Sequence, residues 1–181
     1  MSLLRIDFSA ITRLMTFYEV KISQIPVDLQ RRMIDYAADN VLKAVKQNAR
    51  QMTRGQYALP ETDRMAIANA AFIDTKHRND ANPYVEINFR GTVNRYTEPR
   101  DIHPIKKDGK WYFSKKKGVI KNGKRRIAEV AFVNEYGVPR NKNQGARGYL
   151  SKAMIDGMVN AYEGLADMLE DFIATSLANA I

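Results

Sequence analysis

Between Pro26 and Met52, apolar residues recur every three or four positions: Leu29, Met33, Ala37, Val41, Ala44, Val45 and Ala49. That spacing confines them to one stripe of a helix, with charged residues on the opposite face. Most of such a helix's stability comes from packing that stripe on something else. The chain carries a second stripe to meet it. Over 148–178, Leu150, Met154, Met158, Leu165, Met168, Leu169, Phe172, Ile173 and Leu177 fall on the apolar side of a predicted last helix. Gly157 and Gly164 interrupt that side, and each weakens a helix by up to about 1 kcal/mol relative to alanine. They therefore predict either a close approach or a bend. Pro26 suits the first turn of the earlier helix, and Gly55, in "TRG", its stop. Upstream, Ser9 reads as the N-cap of a helix bearing Ile11, Leu14, Met15, Tyr18 and Ile22.

The middle of the chain has the other period. In "YVEINFR", 84–90, Val85, Ile87 and Phe89 alternate with polar neighbours, as in a half-buried strand. "KDGK" and "KNGK" place Asp108-Gly109 and Asn122-Gly123 where a two-residue hairpin turn needs positive φ. Strands are predicted over Ile102–Lys107, Lys110–Ser114, Val119–Lys121 and Arg125–Tyr136. The last is apolar on both faces and is expected to be central. "DRMAIANAAFI", capped by Thr62, reads as a short helix, and 77–83 as loop. The fold class expected is α+β: one domain, with a helical part over 9–55, a small antiparallel sheet with a long basic hairpin over 83–136, and a C-terminal helix over 148–178.

The net charge of +9 is concentrated. Residues 106–126 hold ten Lys/Arg and one acid, while the remainder has 19 basic and 19 acidic residues. From Asn160 onward there are four acids, Glu163, Asp167, Glu170 and Asp171, and no Lys or Arg. This polarity favours association with an anionic partner, either nucleic acid or another copy. The absence of cysteine excludes disulfides, thiolate metal sites and cysteine nucleophiles, and suits a reducing cytoplasm. Arg5 and Asp7 interrupt any signal-peptide core, and no apolar run approaches the roughly 18–20 residues of a membrane span.

Reaction motifs are scarce. His77 and His103 lack ligand spacing and read as solvated. Pro60-Glu61 followed by Asp74-Thr75-Lys76 mimics the acid, acid and lysine of certain metal-dependent nucleases. That chemistry needs Asp74 and Lys76 on one face of a strand. No catalytic, cofactor or metal residue is assigned on these grounds. In the basic segment, Lys115, Lys116, Lys117, Lys121, Lys124, Arg125 and Arg126 surround Trp111, Tyr112 and Phe113. Such a mixture can bind phosphates and stack on bases, or simply blunt an exposed strand edge.

The stretch "AFVNEYGVPRNKNQGARGYLSKAM", 131–154, resembles the hallmark of a tailed-phage tail-component family, the gene-product-ten-like family of phage Hong Kong ninety-seven. Members show a strand ending in an aromatic or Val, then Glu, an aromatic and Gly, then a loop, then Ala-Arg-Pro-Phe-Leu and a small residue opening the last helix. Phe132, Glu135, Tyr136 and Gly137 match the first half; Ala146, Arg147, Tyr149, Leu150 and Ala153 match the second. Gly148 stands for the usual proline and Tyr149 for the usual phenylalanine. "KAVKQNARQMTRG", 43–55, is similar to a second family phrase but lacks its proline. The resemblance covers about a third of the chain.

The resemblance implies a virion structural protein of a phage or prophage, not an enzyme, needing no cofactor and no membrane. It implies a head–tail joining or tail-completion subunit in a neck ring, commonly sixfold, monomeric when free and made in the host cytoplasm. The basic hairpin and the acidic last helix are then candidate complements between copies, with the tail tube or the DNA in the lumen as other partners for the hairpin. Glu135 and Arg147 flank the loop and are a candidate ion pair. The competing expectation is a nucleic-acid-binding module using 106–126.

Overall fold

The computed structural model describes residues 4–12, 25–52, 61–94, 103–107, 110–114, 124–136 and 148–178. In chain order the elements are β1 (Leu4–Asp7), α1 (Phe8–Thr12), α2 (Val27–Gln51), α3 (Glu61–Ala70), β2 (Ala71–Asp74), β3 (Tyr84–Phe89), β4 (Thr92–Asn94), β5 (His103–Lys107), β6 (Lys110–Ser114), β7 (Lys124–Arg126), α4 (Ile127–Tyr136) and α5 (Tyr149–Ala178). The class is α+β.

α2 organises the core. Every residue of its predicted stripe is buried, with Ile34 and Ala38 added, and it touches α5, α3 and the sheet β1–β3–β2. That sheet is antiparallel with β3 central, and Leu4 pairs with Ile87 and Ala71 with Phe89. Ile6, Val85 and Ile87 are fully buried on one face, so the alternation expected of β3 is obeyed. Arg5 and Glu86 pair across the other face, and the Arg5 guanidinium lies 3.9 Å from the Tyr84 ring centroid. Residues 75–83 form turns anchored to α2. There Arg78 Nε donates to the Asp35 carboxylate at 2.8 Å, and Arg31 Nε donates to the Arg78 carbonyl at 3.2 Å.

The two glycines of α5 mark close approach. A Cβ on Gly157 would overlap the backbone of Val41 in α2, and one on Gly164 would overlap the ring end of Tyr36. Asn48 Nδ2 adds polar ties from α2 to α5, at 3.4 Å from the Tyr149 carbonyl and 3.3 Å from Asp156 Oδ2.

Two expectations are corrected. The predicted strand Arg125–Tyr136 is a three-residue strand, β7, followed by a helix. Ile127, Val130, Ala131, Asn134 and Glu135 are buried there, a spacing of three and four that a helix satisfies and a strand does not. β7 pairs with β4, Thr92 opposite Arg126, and the other strand and the turn of the second predicted hairpin, Val119–Lys121 and Asn122-Gly123, lie outside the described residues. Gly91, at φ +92°, makes the turn between β3 and β4, and its carbonyl accepts from Ile127 N at 3.1 Å. At the N-terminus, Asp7 caps α1 in place of Ser9. Its carboxylate accepts from Ala10 N at 3.1 Å and from the Ser9 hydroxyl. Burial opposes ionisation of Asp7, but these hydrogen bonds and Arg5 outweigh it and hold the pKa below the usual aspartate value. Residues 13–24, which carry Leu14, Met15, Tyr18 and Ile22, lie outside the described residues, as does Gly55.

The two strands of the first predicted hairpin are present and paired, with Lys107 opposite Lys110, while Asp108 and Gly109 lie outside the described residues. Among the described residues, β5 and β6 pair with each other and with no third strand.

Candidate assembly site

The described residues among those that carry the resemblance, Phe132, Glu135, Tyr136, Tyr149, Leu150 and Ala153, lie where α4 hands over to α5. A helix starts with four backbone N–H groups that lack intrahelical partners. At α5 the position before the first turn is Gly148, at φ +58°, with no side chain to accept from them. Glu135 does so from the end of α4. Its Oε2 accepts from Leu150 N at 2.7 Å, and its Oε1 accepts from Ser151 N at 3.1 Å and from the Ser151 hydroxyl. The Glu135 carbonyl also accepts from Gly148 N at 3.2 Å. Glu135 is 4% exposed, so a buried carboxylate is matched to the positive end of a helix dipole and to three donors.

Around this fastening, Tyr149, Leu150 and Ala153 are buried, and Asn134 Nδ2 donates to the Val130 carbonyl at 2.7 Å. Phe132 is half-buried and packs on Tyr136, ring centroids 4.7 Å apart, while Tyr136 is more than half exposed. The motif therefore arrives on a helix, not on the strand edge expected. Glu135 is occupied by α5. Arg147, its expected partner, lies outside the described residues with Gly137 and Ala146. Ser151 and Gly148 were not singled out from the sequence as participants. A glycine directly before a helical stripe was the available signal.

Tyr149 is unusual. Its hydroxyl is buried and has no hydrogen-bond partner among the described residues. Burial, and then the charge of Glu135, pushes its pKa well above the usual tyrosine range. An unpartnered buried hydroxyl destabilises the native state by about 1–3 kcal/mol. Tyr149→Phe, which fills the same volume without that group, is expected to stabilise the protein by about 1 kcal/mol. Urea unfolding of the two proteins checks this, and a loss of stability would mean that the hydroxyl has a partner in solution.

Of the basic residues, Lys124, Arg125 and Arg126 lie on β7, which pairs with β4 in a different sheet from β5–β6, and Lys115, Lys116, Lys117 and Lys121 are outside the described residues. Arg126 borders an open depression of about 490 Å³ with Glu86, Asn88, Phe89, Gly91, Thr92 and Ala128. The nuclease-like arrangement does not form. β2 ends at Asp74, and Lys76 lies beyond it in a turn, its backbone N–H bound to Asp74 Oδ1 at 3.1 Å. His77 Nδ1 is 2.8 Å from Asp80, and its ring stacks on Tyr84. His103 opens β5, within the strand expected over Ile102–Lys107.

Among the described residues, no group of three or more His, Asp or Glu side chains is placed to hold a metal, and no helix is long and apolar enough to cross a membrane. No family model, curated protein or solved structure matches this chain.

Proposed function

We propose that the chain is a structural subunit of a tailed-phage or prophage particle, acting in head–tail joining or tail completion as part of a neck ring. The observation that carries this reading is the use to which the motif is put. Glu135, the one acid of the resembling segment, spends its carboxylate on the first turn of α5. Tyr149, Leu150 and Ala153 fill the core beside it. A motif built this way serves shape and not turnover. Exposed Tyr136 and half-buried Phe132 leave an aromatic surface next to the fastening, suited to a neighbouring subunit. Gly148 departs from the family pattern, because a proline cannot adopt φ +58°.

The test is electron microscopy of induced lysates with and without the gene. Filled heads and detached tails in the deletion, rejoined on complementation, are the expected result. Tails of abnormal length would move the role into tail assembly, and normal infectious particles would overturn the reading.

One observation favours the alternative, a module for nucleic acid. Lys43, Lys46 and Arg50 fall on one side of α2 with Gln47 and Gln51, lining a depression of about 410 Å³. A second basic face besides the hairpin suits phosphate contact. That reading requires an affinity for DNA that falls linearly with log salt, by roughly 0.9 per neutralised phosphate.

A further inference from the structure

The outer side of α5 is greasier than a solvated helix requires. Ile155, Val159 and Leu177 are 65%, 62% and 63% exposed. Ile155 and Val159 continue into half-buried Tyr162 and Ala166 at spacings of four, three and four, which makes one stripe over the middle of the helix, with Leu177 farther along, while Ile173 packs against the core. Single exposed apolar residues are ordinary, but a stripe of about three helical turns marks a contact surface.

The charges beside the stripe select its occupant. Exposed Glu163, Asp167 and Glu170 line one edge, and from Asn160 onward the helix has no Lys or Arg. Two copies of α5 laid against each other would bring acid to acid, so symmetric self-pairing is disfavoured. The fitting partner is basic and apolar together. The chain contains such an element in the β5–β6 hairpin, with Lys106, Lys107 and Lys110 at its turn and Trp111, Tyr112 and Phe113 along β6. Among the described residues β5 and β6 have no third strand, and a two-stranded pair is marginally stable in water and gains from a surface to lie on.

We infer that the β5–β6 hairpin of one copy docks on the outer stripe of α5 of the next copy. The contact joins two different surfaces, so each subunit retains one free surface of each kind and the chain closes into a ring when the rotation permits. The inference rests on the ring reading for its biological setting. Its test needs only purified protein, so it fails or stands separately from the lysate experiment.

Two variants separate the halves of the joint. Ile155→Glu with Val159→Glu blocks the stripe at exposed positions. Lys106→Glu, Lys107→Glu and Lys110→Glu together reverse the hairpin turn. Circular dichroism and thermal melting check that both remain folded. In sedimentation at low salt the wild type is expected to self-associate and to shift toward monomer as salt is added. Each variant alone is expected to associate at least tenfold more weakly. A one-to-one mixture of the two restores a single joint, and is expected to give heterodimers and nothing larger. A wild type still monomeric at about 1 mM, where even weak contacts are populated, overturns the inference. So does a hairpin variant that associates like the wild type, which would indicate α5-to-α5 pairing. A mixture that remains monomeric overturns it as well.

Discussion

Glu135→Ala is expected to lower the unfolding free energy by about 3 kcal/mol, because hydrogen bonds to charged groups contribute about 1.5–3 kcal/mol each and the freed donors are only partly reachable by water. Leu150 is 1% exposed, so its N–H loses its acceptor in a place where solvent does not substitute. The Ser151 N–H lies nearer the surface, and water recovers part of its loss. For a chain of this size the change corresponds to a fall in melting temperature of roughly 6–12 °C. Glu135→Gln keeps the size and one acceptor oxygen but not the charge, and should fall between the two. Urea denaturation of the three proteins is the measurement. A loss below about 1 kcal/mol for the alanine variant would mean that the carboxylate contributes no more than an exposed ion pair.

Gly157→Ala is the second large effect. Alanine is a better helix former than glycine by about 1 kcal/mol, so an exposed site would gain stability. Here the added methyl meets the Val41 backbone, which cannot rotate aside, and α2 and α5 must separate along their shared face. Overpacking of this kind costs about 1–3 kcal/mol and more where main chain is struck, so a net loss near 3 kcal/mol is expected. Gly164→Ala supplies the control. Its methyl meets the ring end of Tyr36, a half-buried side chain with room to turn, and the net change should stay within about 1 kcal/mol of zero. Equal losses at the two positions would show that Tyr36 is held as rigidly as the backbone.

These two sites differ in how far the sequence discloses them. The glycines in the last helix predicted close packing or a bend, and the structure has the close packing. The bounds of α2, β3, β6 and α5 also lie within about a residue of those expected, α2, β3 and α5 from their period and β6 from the Asp-Gly signal before it. α4 does not. "IAEVAFVNEY" is apolar enough on every side to satisfy an alternating or a helical reading. What decides it is the joint burial of Asn134 and Glu135, two polar residues that no strand pattern would place inside. β1 and β2 are four residues each and too short for a period to emerge. Glu135 was visible as a motif residue but not as a cap. Its partners are backbone amides of α5, and amides carry no mark in a sequence.

The fastening also separates two kinds of change the gene can undergo. α4 ends at Tyr136 and α5 is entered from Gly148, whose N–H is bound to the Glu135 carbonyl, so the two helix ends are tied to each other directly. For a connection whose ends are tied in this way, doubling the length costs only about 0.6 kcal/mol of closure entropy. An insertion between Tyr136 and Gly148, such as an affinity tag, is therefore expected to leave the fastening in place. A substitution at Glu135 or Ser151 has no such freedom, because it reaches the start of α5 directly.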